Sequence, residues 1–220
     1  MGDNTHDDTD IAALRREYAA GGLSEDELAE DPVTMFRGWF DAVRQANLHE
    51  PNAMVVATVG EDGRPSSRMV LLKGVGEDGF RFFTNTASRK GRELAANPAC
   101  SLLFPWHLLE RQVRVDGVAE PLSREEVAAY FSSRPRGSRL GAWASHQSQP
   151  VAGRGELAAA YEEVERRFGD DEEVPVPQEW GGYLVRPEVV EFWQGRPGRM
   201  HDRLVYRRVD GAWRTERLAP

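Results

Sequence analysis

The spacing of hydrophobic and polar positions changes from helical to strand-like near residue 50. Residues 11–20 have helical spacing and end at a Gly-Gly pair, which is a common helix stop. Asp31 and Pro32 predict the N-cap and first turn of a second helix, which runs to about residue 48 with one apolar face. From residue 53 onward, short β-rich runs are separated by Asp-Gly turns, which are strong hairpin signals.

The rest of the chain is predicted to be mainly β-structure with flanking helices. Strand-like runs cover residues 54–59, 67–75, 80–84, 99–106, 110–119, 182–186, 189–194, 204–208 and 212–217. Helices are predicted at residues 89–96, 123–133, 138–145 and 155–168, before an acidic loop at 170–177. Tight turns imply antiparallel pairing, and about six to eight such strands suggest a barrel. Strand and helix do not alternate regularly, and no Gly-rich nucleotide motif is present, so a Rossmann sheet is not favoured.

The composition is that of an ordinary globular protein. Of the 220 residues, 40% are hydrophobic and 29% are charged, which fits one domain over residues 11–220. Residues 1–10 are expected to be a disordered acidic leader, and residues 11–48 a helical segment. No apolar run is long enough to cross a membrane, and the acidic N-terminus has no secretory signal. A single cysteine, Cys100, excludes an internal disulfide and favours the cytoplasm.

The net charge of −8 is concentrated at the N-terminus. Residues 1–31 hold ten acidic residues and two arginines, so residues 32–220 carry 26 charges of each sign. A neutral body with local arginine clusters argues against a nucleic-acid surface. It is compatible with small anionic ligands, each bound by a few cations. No histidine or cysteine pair has the spacing of metal ligands, so no metal is expected.

Only two of the 28 cationic side chains are lysines, and both occur in runs that suggest ligand binding. Lys73 ends a strand-like run that begins at Arg68, with the two charges on opposite faces. Lys90 ends the run from Thr84, where hydroxyls and free N–H groups at a helix start could bind phosphate. The alternatives are an edge strand with solvated charges and a simple Ser88 N-cap.

Two further clusters carry groups that could do chemistry. Tyr130, Arg134 and Ser138 are four residues apart and offer the donors that a phosphate monoester needs, unless they form only a frayed helix end. The densest polar cluster is the segment 193–203, with His201 between two arginines in a glycine- and proline-rich loop. Covalent catalysis is not indicated, because no serine-hydrolase elbow is present and Cys100 lies in an apolar strand.

Taken in order, these pieces resemble the pyridoxamine 5′-phosphate oxidase family over about residues 11–220. The matching segments are Arg68-Met-Val-Leu-Leu-Lys73, Ser88-Arg-Lys90, Leu103-Phe-Pro-Trp106, Glu110-Arg-Gln112, Ser133-Arg-Pro-Arg136, Phe192-Trp-Gln-Gly195, Arg199-Met-His-Asp-Arg203 and the terminal Arg217-Leu-Ala-Pro220. The resemblance implies an antiparallel split β-barrel that binds FMN. It also implies a cytoplasmic homodimer with two FMN sites at the subunit interface.

The resemblance also implies roles for individual residues. FMN would be bound by Arg68, Met69, Val70, Leu71, Leu72, Lys73, Phe83, Thr84, Arg89, Lys90, Gln112, Gln147, Ser148, Trp193 and Arg203. The substrate would be bound by Lys73, Tyr130, Arg134, Ser138, Arg199, Met200 and His201, with an N-terminal flap formed by Arg15, Arg16, Glu17 and Tyr18. Arg199 and His201 would be the catalytic pair. The chain departs from the family pattern at Phe83, where a tyrosine is common, and at His146, where a lysine can occur.

The implied activity is oxidation of pyridoxine or pyridoxamine 5′-phosphate to pyridoxal 5′-phosphate. FMN would accept a hydride from the 4′ carbon, and O2 would reoxidise the flavin to give hydrogen peroxide. Arg199 would hold the substrate ring, and His201 would position the 4′ substituent and help to move its proton. Two alternatives remain open at this point: another split-barrel flavin or deazaflavin reductase, or a non-enzymatic binder of pyridoxal phosphate and flavin.

Overall fold

The computed structural model describes residue 18, residues 21–169 and residues 173–220. In this part of the chain, nine strands form one antiparallel sheet in the order β2-β1-β5-β6-β7-β4-β3, and β8 joins β7 to β9. The strands are β1 (Ala53–Val59), β2 (Pro65–Leu71), β3 (Gly74–Gly76), β4 (Gly79–Asn85), β5 (Ala99–Trp106), β6 (Arg111–Pro121), β7 (Trp180–Gln194), β8 (Asp202–Val209) and β9 (Ala212–Arg217). The helices are α1 (Pro32–Gln45), α2 (Arg89–Ala96), α3 (Arg124–Ser132), α4 (Arg136–Ala144) and α5 (Arg154–Phe168).

The sheet branches at the long strand β7. Residues 180–185 of β7 pair with β4, residues 189–194 pair with β8, and β6 pairs along nearly the whole strand. The partner of β7 changes from β4 to β8 next to a β-bulge, which lies in β6 between Asp116 and Gly117. A Cβ on Gly117 would lie 2.1 Å from the carbonyl oxygen of Arg186, so the close approach of the two strands requires glycine.

Two strand predictions are wrong in detail. The run 67–75 is not one strand: β2 pairs with β1, whereas β3 pairs with β4, and Leu72 and Lys73 link them. Lys73 therefore lies beyond the strand that carries Arg68. Conversely, the predicted strands 182–186 and 189–194 are both part of β7, because the pairing with β6 continues across the bulge. The described residues form nine strands, whereas about six to eight were expected for the barrel.

The helix starts follow the capping residues that the sequence offers. Asp31 accepts hydrogen bonds from the backbone of Val33 and Thr34, and Ser88 caps α2 through Gly91. Ser123 forms a capping box at the start of α3. Helix α1 ends at Gln45 rather than near residue 48, and the predicted helix 11–20 and leader 1–10 lie outside the described residues apart from Tyr18.

The main core lies between α1 and the inner face of the sheet. Phe36 of α1 is fully buried and meets Phe80 of β4, Phe104 of β5 and Trp106 of β5 at ring distances of 4.8–5.6 Å. A second, smaller apolar cluster is built on Phe131, Leu140 and Val174, beneath α3–α5. No helix in the described ranges is long and apolar enough to span a membrane.

Candidate active site

A cavity of about 430 Å³ lies between β2, β4 and α3. Eleven of its twelve lining residues are among the ligand-binding residues expected from the sequence: Arg68, Met69, Val70, Leu71, Lys73, Phe83, Thr84, Lys90, Tyr130, Arg134 and Gln147. The twelfth is Trp180. The fold thus brings three separate sequence motifs to one cavity of the size that holds small molecules.

Lys90 is buried at the start of α2 and faces this cavity. Its Nζ donates to Thr84 Oγ1 at 2.9 Å, to Ser88 Oγ at 3.3 Å and to Gln147 Oε1 at 2.7 Å. Burial and the nearby charge of Arg68 lower the pKa of Lys90 to about 8. The cation has no carboxylate partner among the described residues, so a bound anion would supply the missing negative charge.

Arg68 on β2 and Arg89 at the start of α2 both contact Glu93 on α2. Arg68 Nη2 lies 3.3 Å from Glu93 Oε2, and Arg89 Nε lies 2.8 Å from Oε1. Burial of the Glu93 carboxyl raises its pKa, but hydrogen bonds from Ser66, Thr58 and Arg89 outweigh this and lower the pKa to about 2. Glu93 is therefore ionised and lies in contact with the Arg68 and Arg89 guanidinium groups.

Tyr130 and Arg134 line the α3 side of the cavity. The Tyr130 ring stacks on Phe83 with centroids 3.8 Å apart, and the Arg134 guanidinium lies over the Trp180 ring at 4.1 Å. Arg134 Nη1 and Trp180 Nε1 are both buried without a hydrogen-bond partner in the described structure. Burial lowers the pKa of Arg134. Unpaired buried donors are costly, so these two suggest a site that is completed by a ligand.

Ser138 lies in an adjoining cavity of about 300 Å³, which shares Arg134, Gln147 and Trp180 with the first. Helix α3 ends at Ser132 and α4 begins after Pro135, so the chain turns between Arg134 and Ser138 as the proline predicts. The expected phosphate-binding residues of α3 and α4 therefore border one continuous region.

A second cluster of expected residues lies on β6, β7 and β8. Gln112 pairs with Trp193, and Trp193 pairs with Arg203, so the three side chains share one row and one face of the sheet. Arg203 is already engaged: its Nε and Nη2 donate to Glu191 at 2.8 and 3.1 Å, and its Nη1 donates to the carbonyl of Ala219.

His201, Trp193 and Tyr18 form an aromatic group beside this row. The His201 ring lies 4.7 Å from that of Trp193 and 5.5 Å from that of Tyr18. The backbone N–H of Arg196 donates to His201 Nδ1 at 3.1 Å, which places the ring hydrogen on Nε2 and makes that nitrogen a donor for a ligand. Arg199 and Met200 are exposed, and Arg199 has a positive φ of 62°.

An ion-pair network holds Leu23 and Glu25 against this cluster. Asp202 Oδ2 accepts from the backbone N–H of Leu23 at 2.9 Å, and Asp202 Oδ1 accepts from Arg217 Nη1 at 2.6 Å. Arg217 also forms a two-point pair with Glu25, at 2.7 and 2.9 Å. These contacts join the two ends of the described chain beside His201 and raise the pKa of Arg217.

The remaining expected residues are placed as follows. Leu72 is buried in the core, Arg89 is exposed beyond its contact with Glu93, and Ser148 is exposed with a φ of 71°. Arg15, Arg16 and Glu17 lie outside the described residues. No residue of the β6–β8 cluster lines the cavity of Lys90. Across the described ranges, no group of three or more His, Cys, Asp or Glu side chains could hold a metal ion.

Three residues of this region escaped the sequence analysis: Glu93, Trp180 and Glu191. Glu93 lies four positions after Arg89 on one helix, a spacing that signals an ion pair but not its burial. Glu191 is 3% exposed and pairs with both Arg114 and Arg203. Trp180 begins β7 directly after Glu179, and no local pattern links it to Arg134, so its place in the cavity comes only from the fold.

Comparison with solved structures defines the class to which this fold and site belong. PhzG from Burkholderia lata 383, solved in complex with tetrahydrophenazine-1-carboxylic acid, superposes with a TM-score of 0.85 at 32% identity, covering 91% of this chain and 98% of that one. An FMN-binding protein from Nostoc punctiforme related to pyridoxamine 5′-phosphate oxidase shares the fold at a TM-score of 0.69 and 20% identity, over 88% of this chain and all of the other. The fold is the antiparallel split barrel, as the family resemblance implies.

The chain belongs to the pyridoxamine 5′-phosphate oxidase family. That family's profile matches residues 40–168, and the pyridoxine 5′-phosphate oxidase C-terminal dimerisation region matches residues 180–220. A pyridoxine/pyridoxamine 5′-phosphate oxidase from Nocardioides sp. JS614 is 69% identical, over 96% of this chain and 98% of the relative. One from Rubrobacter xylanophilus is 57% identical, over 96% and 97%. The family resemblance read from the sequence is confirmed, and with it the expectation of an oxidase.

Proposed function

We propose that the protein oxidises pyridoxine 5′-phosphate and pyridoxamine 5′-phosphate to pyridoxal 5′-phosphate, with FMN as the resident cofactor and O2 as the final oxidant. The supporting observation is that two groups of cations border one cavity. Arg68 and Lys90 lie on the side of the cavity near α2. Lys73 follows the end of β2, and Arg134 follows the end of α3. Flavin mononucleotide and the phosphorylated vitamin each carry one phosphate, and each cation group would bind one of them.

The donors present fit a flavin phosphate. Lys90 is buried without an acidic partner in the described structure, and Arg68 is held beside it on β2. Thr84 and Gln147 add a hydroxyl and an amide next to the ammonium. When bound, FMN would supply the two-electron chemistry, taking a hydride from the 4′ carbon of the substrate and delivering the electrons to O2.

The chain's own residues would bind and orient the substrate. Arg134, whose Nη1 has no partner in the described structure, would bind the substrate phosphate together with Lys73, Tyr130 and Ser138. The Nε2–H of His201 would donate a hydrogen bond to the 4′ hydroxyl or amino group and position it over the flavin. The exposed Arg199 would cover the substrate ring and stabilise charge that develops on it.

We also propose that the protein works as a homodimer in the cytoplasm, with FMN at the subunit interface. Phe83 of the cavity pairs with Gly182 of β7, and Gln112 of the β6–β8 cluster pairs with Trp193 of the same strand. The stretch of β7 between Gly182 and Trp193 is about 35 Å long, and this distance along the strand separates the two clusters. A partner copy could place its β6–β8 cluster over the cavity of this chain. Met69, 64% exposed on the outer face of β2, adds apolar surface for such an interface.

Steady-state turnover tests this function. Pyridoxine 5′-phosphate in air should yield pyridoxal 5′-phosphate and hydrogen peroxide in equal amounts, and the rate should depend on added FMN in flavin-stripped protein. Product without FMN, or no product from flavin-loaded protein, would contradict the proposal.

A second candidate function follows from the likeness to PhzG. Its bound tetrahydrophenazine-1-carboxylic acid carries a carboxyl group, and Arg134 could bind a carboxylate as well as a phosphate. The same assay with a reduced phenazine carboxylate separates the two functions. Bound flavin that stays oxidised with either substrate under anaerobic conditions would instead indicate a binding protein or a reductase of another compound.

A further inference from the structure

A buried carboxylate lies directly behind the cations of the proposed flavin phosphate site. The side chain of Glu93 is only 8% exposed. Its Oε2 accepts hydrogen bonds from Thr58 Oγ1 at 2.5 Å and from Ser66 Oγ at 2.6 Å, with Arg68 Nη2 at 3.3 Å. Its Oε1 accepts from Arg89 Nε at 2.8 Å. Both carboxylate oxygens are therefore engaged.

The same two hydroxyls that donate to Glu93 also accept from Arg68. Arg68 Nη1 donates to Thr58 Oγ1 at 2.6 Å, and its Nη2 donates to Ser66 Oγ at 2.6 Å. A hydroxyl has one hydrogen, and an ionised carboxylate can only accept. Glu93 therefore fixes the direction of both hydroxyl hydrogens, which leaves their lone pairs facing Arg68. Arg68 Nη1 also donates to the backbone carbonyl of Val56 at 3.2 Å, and together these contacts hold the guanidinium in one orientation.

Simple electrostatics does not explain an acid in this position. Arg68 and Lys90 line the cavity of the proposed phosphate site, and Arg89 precedes Lys90 on α2. A negative charge beside these cations would weaken their attraction for an anion. The orientation of the arginines does explain it, because groups held in their binding geometry lose less conformational freedom when the ligand arrives.

We infer that Glu93 is a positioning residue for the flavin phosphate: it orients Arg68 through Thr58 and Ser66 and holds Arg89 directly, so that both guanidinium groups are set for a phosphate monoester. This inference rests on the proposed FMN site. It predicts that Glu93 contributes to the preference for FMN over riboflavin, which lacks the phosphate.

Glu93→Gln tests the inference, because positioning and charge predict opposite signs. The substitution keeps the size of the side chain, removes both ion pairs and removes one negative charge from the site. If positioning dominates, the Kd for FMN rises by about tenfold or more, whereas the Kd for riboflavin stays within about twofold. Both constants are measured by flavin fluorescence quenching on the full chain after flavin removal.

Glu93→Asp and Glu120→Gln complete the design. Glu93→Asp keeps the charge but shortens the side chain, so it should also weaken FMN binding selectively. Glu120→Gln removes an exposed carboxylate that pairs with Arg186 at 2.6 Å, and it should change neither flavin constant. Tighter or unchanged FMN binding in Glu93→Gln, or an equal loss for both flavins, overturns the inference. Wild-type protein that fails to bind FMN overturns the proposed function itself.

Discussion

The phenol ring of Tyr18 stands edge-on to the imidazole of His201, with ring centroids 5.5 Å apart and the ring planes 70° apart. The same phenol ring meets Trp193 edge-on at 5.8 Å. A Cβ on Gly195 would lie 2.9 Å from the Tyr18 ring, so the loop after β7 requires glycine for this contact. Tyr18, from the N-terminal part of the chain, thus covers one side of the imidazole of His201, the proposed catalytic histidine.

Removing the Tyr18 ring should weaken substrate binding but not flavin binding. An edge-on aromatic pair contributes about 0.5–1.5 kcal/mol, so Tyr18→Ala should raise the KM for pyridoxine 5′-phosphate roughly 3- to 10-fold. Tyr18→Phe keeps the ring and serves as the matched control, with a KM close to that of the wild type. Equal losses in the two variants would show that the hydroxyl matters instead of the ring contact.

The affinity for FMN should fall as the pH rises above about 8, because the pKa of Lys90 is lowered to about 8. A protonated Lys90 attracts the phosphate dianion, whereas a neutral amine does not. Bound phosphate raises this pKa again, so the loss of affinity begins near pH 8 and continues above it. Titrations of flavin-stripped protein across this range measure the slope. Lys90→Met should bind FMN more weakly at neutral pH and should lose the pH dependence.

Arg134 should matter for substrate binding and very little for stability. Charge-assisted hydrogen bonds contribute about 1.5–3 kcal/mol, so Arg134→Met should raise the KM for the phosphorylated substrate roughly 10- to 100-fold. The substitution removes a buried donor without a partner in the described structure, so the free energy of unfolding should stay within about 1 kcal/mol of the wild type. Arg64→Met, at an exposed position, is the control. A large loss of stability would mean that Arg134 is structural.

Glu191, in contrast to Arg134, should contribute to the stability of the fold. It is buried and pairs with Arg203 at 2.8 Å and with Arg114 at 3.0 Å. Removal of one partner from a buried ion pair leaves uncompensated charge, so Glu191→Gln should lower the free energy of unfolding by about 2–4 kcal/mol. Urea unfolding gives this value. The exposed pair of Glu120 and Arg186 provides the comparison, since Glu120→Gln should cost less than about 1 kcal/mol.

The sequence predicted the elements whose limits are set by local chemistry. Helix α2 (Arg89–Ala96) and strand β5 (Ala99–Trp106) have the expected bounds, because Ser88 caps the helix and Asn97-Pro98 separates the two. The division of 67–75 into β2 and β3 could not be predicted, since it depends on pairing with β1 and β4. A run of alternating residues does not reveal a change of partner strand.

The candidate site was predicted through the family motifs, and its supporting residues were not. Lys73, Lys90 and Arg134 were expected to bind ligands, and all three line the same cavity. Glu93 and Trp180 act through tertiary contacts between elements distant in sequence, such as Glu93 with Thr58. No local pattern marks such contacts, so only the folded chain reveals them.

Anaerobic reduction of the bound flavin is the most direct test of the central claim that this cavity oxidises a phosphorylated pyridine. Flavin-loaded protein is mixed with pyridoxine 5′-phosphate without oxygen, and the loss of the oxidised flavin absorbance is followed. We expect rapid bleaching with the phosphate ester, little with unphosphorylated pyridoxine at the same concentration, and slow bleaching in Arg134→Met. Flavin that stays oxidised with pyridoxine 5′-phosphate, or bleaches equally with both compounds, would contradict the account.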